Sequence, residues 1–438
     1  MISVDRKRCC YCGACVSVCP VDALDLQETR LVVRDSCMDC NDCISACPSG
    51  ALRAEGDSDT VSDEAQDHYQ VVVVGAGPAG SVAAWEAARR GLSVLLVEKR
   101  QEIGSPVRCA EGLTPGALDG LVDADSRWIS ARVRRAKIAV VREGIEHDWR
   151  PAAVPEAACE SGVGYVVERR VFDRSLAERA SAAGARVVVK TAVTGLLQED
   201  GRVVGVEARG PWGSRRIRSE VVIGADGIES RIGAWAGLDT TLPLADLMSC
   251  AQFLLAGIDI DPECTYYYLD PEIAPGGYVW IFPKGEGQAN VGLGIQADLI
   301  SEAPIDLLTR FIEGRRFLAR GSPVTMVMGG VPVALPPAAL VTSGCMLVGD
   351  AARQVDPLTG GGIANGMRAG RLAAQVAARA IGDGDMGRGA LRSYEQAWQD
   401  GIGRDMARNY RLRVRFPPNE RLSERFLRVF AMSIGAGK

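Results

Sequence analysis

The stretch of sequence that decides the fold runs from Gln70 to Lys99 and reads QVVVVGAGPAGSVAAWEAARRGLSVLLVEK. Four consecutive valines predict a strand buried on both faces, and an alanine-rich helix follows a turn that contains Gly75, Gly77 and Gly80. A second apolar strand is predicted over 92–97. In such a βαβ unit the glycines let the backbone approach a pyrophosphate, and the helix N-terminus offers free N–H groups to its charge.

An acidic residue lies at the end of the second predicted strand, the position at which such units bind the ribose of a nucleotide. Glu98 lies 18 residues after Gly80 and can accept hydrogen bonds from ribose hydroxyl groups. The complete unit favours dinucleotide binding over a glycine turn that serves only packing. The motif alone does not choose between FAD and NAD. A second glycine-rich stretch, 292–297, opens no helix and is predicted to be a strand, so no separate NAD(P)H domain is evident.

The overall composition limits the function. A chain of 438 residues with 47% hydrophobic residues predicts more than one domain. The net charge of −5 and the lack of a recognisable binding motif argue against a nucleic-acid partner. No apolar run approaches the ~18 residues of a membrane span, so we expect a cytoplasmic protein. Only two histidines are present, which argues against histidine-based acid–base catalysis.

The cysteines are concentrated at the N-terminus, since nine of the fourteen lie within the first 47 residues. That clustering indicates metal binding rather than disulfides. The pattern Cys-x2-Cys-x2-Cys-x3-Cys-Pro occurs twice, and each cysteine of the second copy lies 28 residues after its counterpart. In such a duplicated pattern three thiolates hold one cubane cluster and the fourth reaches the other cluster.

The spacing therefore predicts two [4Fe–4S] clusters. The first is assigned to Cys9, Cys12, Cys15 and Cys47, and the second to Cys19, Cys37, Cys40 and Cys43. Zinc is the alternative, but it needs four ligands per ion and has no use for two such runs. The segment resembles a bacterial-type two-cluster ferredoxin over its whole length, and the extra Cys10 is predicted to be a packing residue.

An acidic stretch, 54–69, follows this ferredoxin-like segment. It contains six Asp or Glu and no Lys or Arg, which is typical of a solvated linker. A flexible linker of this length reaches about 20–24 Å and keeps the two parts of the chain close together. We infer that the clusters exchange electrons with the dinucleotide site.

Three later segments carry candidate site residues. A loop dense in small residues, 104–113, contains Cys109 and would let a flat ring lie against the backbone, although an ordinary buried thiol is equally consistent. Arg169 could pair with a cofactor phosphate, although a surface cation is the more common case. Glycines 360–362 precede a long helix, whose N-terminus would offer positive potential to the N1–C2=O edge of a reduced flavin.

Aromatic residues are scarce at 5% of the chain, so a cluster of them is informative. Tyr278, Trp280 and Phe282 alternate along one predicted strand, and all three should point to the same face. A plain sheet core would explain this pattern. One wall of a long apolar pocket for a greasy ligand is the interpretation we favour.

The C-terminal region is basic. Residues 404–428 contain eight Arg and three acidic residues, with apolar residues between them. A solvated helix face that packs on the domain is the more common structure for such a segment. Docking on an anionic lipid surface is the alternative.

Four segments together resemble the geranylgeranyl reductase family, which belongs to the flavoproteins with a p-hydroxybenzoate-hydroxylase-like fold. They are GAGPAG with Glu98, RCAEG at 108–112, GADGxxS at 224–230, and Gly349-Asp350 leading to PLTGGG at 357–362. The pattern PxxYxWxFP at 275–283 is similar to that family's substrate-cavity signature. The resemblance covers nearly all of residues 70 to about 400, and is closest to the archaeal enzymes that reduce digeranylgeranylglycerophospholipids.

The resemblance implies bound FAD. It carries the family's FAD contacts onto Ala79, Glu98, Cys109, Ala110, Gly112, Arg169, Val193, Asp350, Gly362 and Ile363, beside the glycines of the first turn. It also assigns Tyr278, Trp280 and Phe282 to the substrate cavity. Cys109 and Tyr278 are the candidate proton donors, with an ordered water as the third possibility.

We therefore expect an α/β protein that begins with an α+β two-cluster ferredoxin domain, 1–53. A p-hydroxybenzoate-hydroxylase-like, Rossmann-type FAD domain is expected at 70–130, 160–240 and 336–385. A substrate-binding antiparallel sheet interleaved with it is expected at 131–159 and 241–335, and a C-terminal helical region at 386–438.

The expected function is reduction of C=C bonds in geranylgeranyl chains of an isoprenoid lipid, with electrons from an upstream low-potential donor passing through the clusters to FAD. Peripheral membrane contact would use the basic C-terminal region. The alternatives are a ferredoxin–quinone electron-transfer flavoprotein, a flavin monooxygenase and a membrane-docked electron carrier. The fused ferredoxin argues against direct use of NADPH.

Overall fold

The computed structural model describes residues 2–28, 30–54, 67–149, 164–211, 213–418 and 421–434. Most of the predicted acidic linker, 54–69, lies outside these residues. Positions 150–163, which include the end of the first predicted substrate-domain segment, also lie outside them. The described residues form an α/β fold, as predicted.

The N-terminal segment consists of two small antiparallel sheets and two short helices. Its elements are β1 (Ile2–Val4), α1 (Ala14–Ser17), β2 (Leu24–Gln27), β3 (Arg30–Val33), α2 (Asp42–Ala46) and β4 (Leu52–Ala54). Strand β1 pairs with β4, and β2 pairs with β3. The duplication is visible in the backbone, because the residues that precede the two helices, Gly13 and Asn41, have left-handed φ angles of 79° and 67°.

The rest of the chain alternates strands and helices. The strands are β5 (Asp67–Val74), β6 (Val94–Val97), β7 (Gly112–Leu113), β8 (Ile129–Val133), β9 (Arg135–Arg142), β10 (Ile145–Trp149), β11 (Gly164–Val167), β12 (Arg186–Val188), β13 (Ala192–Glu199), β14 (Arg202–Gly210), β15 (Gly213–Gly224), β16 (Leu247–Ala256), β17 (Cys264–Leu269), β18 (Tyr278–Pro283), β19 (Gln288–Gln296), β20 (Ser322–Pro332), β21 (Val341–Thr342) and β22 (Cys345–Leu347). The helices are α3 (Pro78–Ala88), α4 (Arg169–Ala182), α5 (Arg231–Trp235), α6 (Pro304–Glu313), α7 (Ile363–Asp383), α8 (Arg388–Trp398), α9 (Arg404–Arg415) and α10 (Glu424–Ser433).

The valine strand β5 lies inside a mixed sheet in the order β12-β6-β5-β15-β14-β13, with β22 also paired to β15. Neighbours from β12 to β15 run parallel, whereas β13, β14 and β15 form an antiparallel meander. Residues 186–193 do not form one continuous strand. Strand β12 ends at Val188, the chain turns through Lys190 at a φ of 51°, and Val193 lies in the next strand.

Helices α3 and α7 pack together on this sheet. A Cβ added at Gly370 of α7 would lie 2.2 Å from the carbonyl oxygen of Ala79 and 3.1 Å from the amide nitrogen of Ala83, both in α3. The two helix backbones therefore approach more closely than any residue with a side chain would allow. This contact places the N-terminus of α7 beside the glycine turn at the start of α3.

A second sheet of seven strands follows the order β10-β9-β17-β18-β19-β16-β20. Different helices cover the two faces of this sheet, as the alternating side chains of β18 show. Val279 and Ile281 are fully buried on the face that carries α6, and each contributes roughly 1.5–3 kcal/mol by burial. Trp280 and Phe282 point to the opposite face, where α10 packs. The stretch 292–297 lies largely within β19, as predicted, and opens no nucleotide-binding helix.

The close packing of α3 and α7 makes one stability prediction. Gly370→Ala should lower the free energy of unfolding by about 1–3 kcal/mol, because the new Cβ must push the helices apart. Gly382→Ala on the same helix is the control, since its Cβ would meet nothing within 4 Å and helical Ala is favoured over Gly. Urea denaturation of both variants measures the difference, and equal losses in the two would contradict the proposed helix contact.

Candidate functional site

The glycine turn after β5 is held in place by Glu98. Its carboxylate accepts hydrogen bonds from the backbone N–H groups of Ala76 at 2.9 Å and Arg100 at 3.0 Å. A Cβ at Gly80 would lie 1.9 Å from the carbonyl oxygen of Gly75, so only glycine fits at this position. The carboxylate is thereby fixed beside the turn, where a nucleotide ribose would lie.

The N-terminus of α3 is open on the side away from the sheet. A Cβ added at Gly77 would meet nothing within 4 Å. Pro78 occupies the first turn of the helix, where the N–H that proline lacks would have no partner within the helix. The turn therefore presents backbone N–H groups and the positive end of a helix dipole to an approaching anion. This arrangement suits the pyrophosphate of a dinucleotide.

The loop 108–112 is fastened to the seven-stranded sheet by a buried ion pair. The Glu111 carboxylate lies 2.8 Å from the Lys284 ammonium, and both side chains are 5% exposed. Glu111 also accepts hydrogen bonds from the Asn290 side chain at 2.6 Å and from the backbone N–H of Arg169 at 2.7 Å. Lys284 also lies 3.0 Å from the half-exposed Glu168 carboxylate. Removing Lys284 would leave the Glu111 charge buried without a cation, a loss that costs about 3–5 kcal/mol for such pairs.

Arg169 and Cys109 lie side by side at the end of this loop. The Arg169 guanidinium forms two hydrogen bonds with Asp173, at 2.7 and 2.8 Å, so it is not a free surface cation. Burial raises the pKa of the Cys109 thiol above its ordinary 9.0, and the nearby Arg169 charge only partly offsets this. The thiol is therefore protonated at neutral pH.

The glycine-rich segment before α7 forms a tight loop around Asp356. One carboxylate oxygen of Asp356 accepts hydrogen bonds from the amides of Leu358 at 2.9 Å and Thr359 at 3.0 Å. The loop then enters the 21-residue helix α7 at Ile363. Burial raises the pKa of Asp350, which lies 3.3 Å from the position of a Cβ at Gly362. A negatively charged ring edge would find positive potential at this helix end.

The turn, the loop 108–112 and the start of α7 border one cavity of about 600 Å³. The predicted site residues that line it are Gly77, Ala79, Cys109, Ala110, Gly112, Arg169, Tyr278, Trp280, Phe282, Asp350, Gly362 and Ile363. Four predicted residues do not line it. Gly75, Gly80 and Glu98 shape the adjoining turn, and Val193 packs against the core of the mixed sheet.

The aromatic wall of the cavity comes from β17, β18 and α10. The ring of Tyr278 lies 5.3 Å from that of Phe430 and 6.0 Å from that of Trp280, centroid to centroid. Phe282 meets the cofactor side of the cavity, because a Cβ at Gly112 would lie 2.8 Å from its ring. The glycine in the loop 108–112 is therefore needed for the aromatic strand to approach it.

Several lining residues carry no recognisable sequence signal. Gln252 in β16 accepts a hydrogen bond from the Trp280 indole N–H at 2.9 Å and donates one to the carbonyl oxygen of Cys109 at 3.1 Å. It thus connects the aromatic wall to the loop. Cys250 lies two residues before Gln252 on the same strand, and burial raises its pKa to about 12. Both lie in a strand that shows only ordinary apolar character in the sequence.

Seven of the eight cysteines that the spacing predicts as cluster ligands lie in two sets of neighbours. Cys19, Cys37, Cys40 and Cys43 together line one small cavity. The thiols of Cys9, Cys15 and Cys47 lie close enough to interact electrostatically. Among the described residues no group of three or more His, Cys, Asp or Glu side chains is arranged to hold a single metal ion.

The N-terminal segment contacts the mixed sheet through charged and aromatic groups. The Asp5 carboxylate lies 2.7 Å from the Arg209 guanidinium, and the Lys190 ammonium lies 5.3 Å from the centre of the Tyr11 ring. Burial raises the pKa of Asp5, but hydrogen bonds from Arg209 and from the Lys7 backbone lower it overall. Since Tyr11 stands between Cys9 and Cys12 in the chain, the first cysteine group faces this contact.

Three family models match the chain. The FAD binding domain matches residues 68–258, the geranylgeranyl reductase catalytic domain matches residues 246–331, and the 4Fe-4S binding domain matches residues 2–25. The first two include the glycine turn, the loop 108–112 and the aromatic strand. The third includes the first copy of the cysteine repeat.

Named relatives and a solved structure agree with these models. The chain is 46% identical to digeranylgeranylglycerophospholipid reductase 1 of Methanococcoides burtonii over 370 residues, which are 84% of this chain and 88% of the relative. It is 49% identical to digeranylgeranylglycerophospholipid reductase of Methanothrix thermoacetophila over 79% of this chain and 87% of the relative. The crystal structure of a geranylgeranyl bacteriochlorophyll reductase-like protein from Thermoplasma acidophilum is 41% identical, with a TM-score of 0.74 over 80% of this chain and 87% of that chain. The chain belongs to the geranylgeranyl reductase family of FAD-binding oxidoreductases.

Proposed function

We propose that this protein is an FAD-dependent reductase that saturates the C=C bonds of geranylgeranyl chains in glycerophospholipids. The observation that carries the proposal is the single cavity that joins the aromatic wall to the glycine turn and the start of α7. Apolar walls suit an isoprenoid chain, and a cofactor held by these loops would meet the chain in the same enclosed space. The names of the relatives support this choice of substrate.

The residues present supply what the reduction of an isolated alkene needs. Bound FAD supplies the hydride once it is reduced. The N-terminus of α7 stabilises negative charge beside it, and the aromatic wall excludes water. The second carbon of the alkene needs a proton, which a protonated group in the cavity wall can donate.

A direct assay tests the proposal. Protein reduced with dithionite under anaerobic conditions is incubated with a geranylgeranylated glycerophospholipid, and the product is analysed by mass spectrometry. We expect a gain of two hydrogens for each saturated bond. Rapid bleaching of the flavin by NADPH and reaction with oxygen, without any lipid reduction, would instead support a monooxygenase.

We propose Cys109 rather than Tyr278 as the proton donor. The Tyr278 hydroxyl already donates a hydrogen bond to the carbonyl oxygen of Thr359 at 2.5 Å, and burial raises its pKa well above 10. The Cys109 thiol is protonated at neutral pH and lies in the cavity wall, in the same loop whose Gly112 contacts Phe282.

Replacement of the two candidate donors separates their roles. Cys109→Ala should lower kcat roughly 100-fold or more while substrate binding persists, since general acid catalysis contributes about 10²–10⁴. Tyr278→Phe should lower kcat much less. In the unmodified protein kcat should stay level at neutral pH and fall as the pH rises past the raised pKa of the thiol, because a thiolate has no proton to donate. A kcat unchanged by Cys109→Ala would rule out this role.

We further propose that the N-terminal segment holds two [4Fe–4S] clusters and passes electrons from an upstream low-potential donor to the flavin. Two observations support a second cluster beyond the matched residues 2–25. Four cysteines of both repeats line the second cavity, and the fourth cysteine of each repeat accepts an equivalent backbone hydrogen bond. Ala23 donates to Cys19 and Ala51 donates to Cys47, both at 3.2 Å.

Iron analysis tests the number of clusters. The purified protein should contain about eight irons per chain, and Cys19→Ser should lose about four of them because one cluster loses a thiolate ligand. Cys10→Ser is the control, since its thiol donates only to the carbonyl oxygen of Arg8 and should leave the iron content unchanged. Electron paramagnetic resonance of the reduced protein would show whether the remaining cluster is intact. Four irons in the unmodified protein would contradict the assignment.

We also propose that the protein contacts membranes through its C-terminal helices. Exposed Val414 and Met432 lie among exposed arginines of α9 and α10, a combination that suits the surface of an anionic bilayer. No helix in the described part of the chain is both long enough and apolar enough to span a membrane.

A further inference from the structure

Two arginines of the basic C-terminal region are buried, unlike the solvated or lipid-facing arginines that its composition predicts. Arg413 in α9 is 7% exposed, and Arg421, which precedes α10, is 8% exposed. Both line the same cavity as the aromatic wall. Exposed arginines flank them in the sequence, so their burial is a feature of the fold rather than of the composition.

The two guanidinium groups converge on one neutral acceptor. The side-chain oxygen of Gln296 accepts a hydrogen bond from Arg413 at 3.0 Å and another from Arg421 at 3.4 Å. Arg413 also donates to the carbonyl oxygen of Ala245, and Arg421 to those of Phe416 and Gly276. None of these partners is a carboxylate.

The nearest acids, Asp246 and Asp298, attract the arginines through their charge, but their described hydrogen bonds come from neutral groups. Asp298 accepts a hydrogen bond from the Gln296 side-chain nitrogen at 2.9 Å, and Asp246 accepts one from the Tyr410 hydroxyl at 3.2 Å. Burial, together with repulsion from Arg413, lowers the pKa of Arg421 to about 9. Two cations held this close in an apolar wall favour an anion that enters the cavity.

We propose that Arg413 and Arg421 bind the phosphate of the lipid substrate. The inference rests on the proposed function and adds how the headgroup is recognised. Phosphate oxygens accept charge-assisted hydrogen bonds from two guanidinium groups better than the neutral Gln296 amide does. The pair lies at the Gly276 turn, which leads directly into β18. From there the aromatic row from Tyr278 to Phe282 extends for about 13 Å, at 3.3 Å per residue.

A structural role and a cofactor contact are the two alternatives to phosphate binding. The arginines could only tether the C-terminal helices to the seven-stranded sheet, in which case their loss would weaken the fold and affect all substrates alike. They could instead contact the cofactor, although the pyrophosphate is expected at the N-terminus of α3. These roles differ in their effects on substrate affinity, thermal stability and FAD content.

The experiment compares a phosphorylated substrate, digeranylgeranylglyceryl phosphate, with the uncharged alcohol geranylgeraniol. Arg413→Gln and Arg421→Gln should raise KM for the phosphorylated lipid about 10- to 100-fold, because a hydrogen bond to a charged group is lost. KM for the alcohol should change less than about twofold, since its binding uses the apolar wall only. Arg411→Gln, an exposed neighbour in α9, is the matched control and should change neither value. Arg413→Lys and Arg421→Lys should recover part of the affinity, because the charge remains.

The outcomes that would overturn the proposal are distinct. An equal rise in KM for both substrates, with a lower unfolding temperature, would show a structural tether. A lower FAD content would show a cofactor contact, and no change would show no role. If inorganic phosphate inhibits reduction of the phosphorylated lipid at concentrations similar to the KM of that lipid, the arginines form a site for the free anion instead. If the unmodified protein reduces neither compound, the proposed function fails, and tryptophan fluorescence titration with the two lipids still measures whether the arginines favour the phosphorylated one.

Discussion

The buried ion pair between Glu111 and Lys284 is the interaction on which the arrangement of the site depends. It joins the loop 108–112, which borders the cofactor side of the cavity, to the residue that directly follows β18. Two charges in a dry interior are stable only when each is well hydrogen-bonded. Asn290 and the Arg169 backbone donate to Glu111, and Lys284 also contacts the Val167 carbonyl oxygen and the Glu168 carboxylate. The ion pair thereby fixes the position of the loop 108–112 relative to the seven-stranded sheet.

Because the loop 108–112 is held against the seven-stranded sheet, the cavity has both a polar and an apolar side. Backbone N–H groups and the N-terminal ends of α3 and α7 lie on one side, and the aromatic rings of β17, β18 and α10 lie on the other. Gln252 connects the two through Trp280 and the loop backbone. A reduced cofactor and an oily chain can therefore meet without bulk water between them, as reduction of an unactivated alkene requires.

The N-terminal segment lies against the mixed sheet, where the proposed clusters would have to pass electrons to the flavin. It contacts the mixed sheet through Asp5 and Arg209, close to the strand that follows Lys190. The first cysteine group faces the contact, and the second group is lined by exposed residues such as Cys40 and Met38.

The amino-acid sequence alone was enough to predict the βαβ unit, the FAD-type fold, the repeated cysteine spacing and the common face of Tyr278, Trp280 and Phe282. Each of these depends on residues close together in the chain, where a fixed period or spacing decides the geometry. Only the tertiary structure decided that the C-terminal helix forms a wall of the cavity, that Gln252 joins this wall to the loop 108–112, and that Arg413 and Arg421 are buried. Those features arise from contacts between segments more than 100 residues apart, and no local pattern in a basic helix or an apolar strand specifies its partner. The break between β12 and the strand of Val193 has the same origin, because hydrogen bonds with the backbone of Arg100 and Glu98 hold the turn at Lys190 and Thr191.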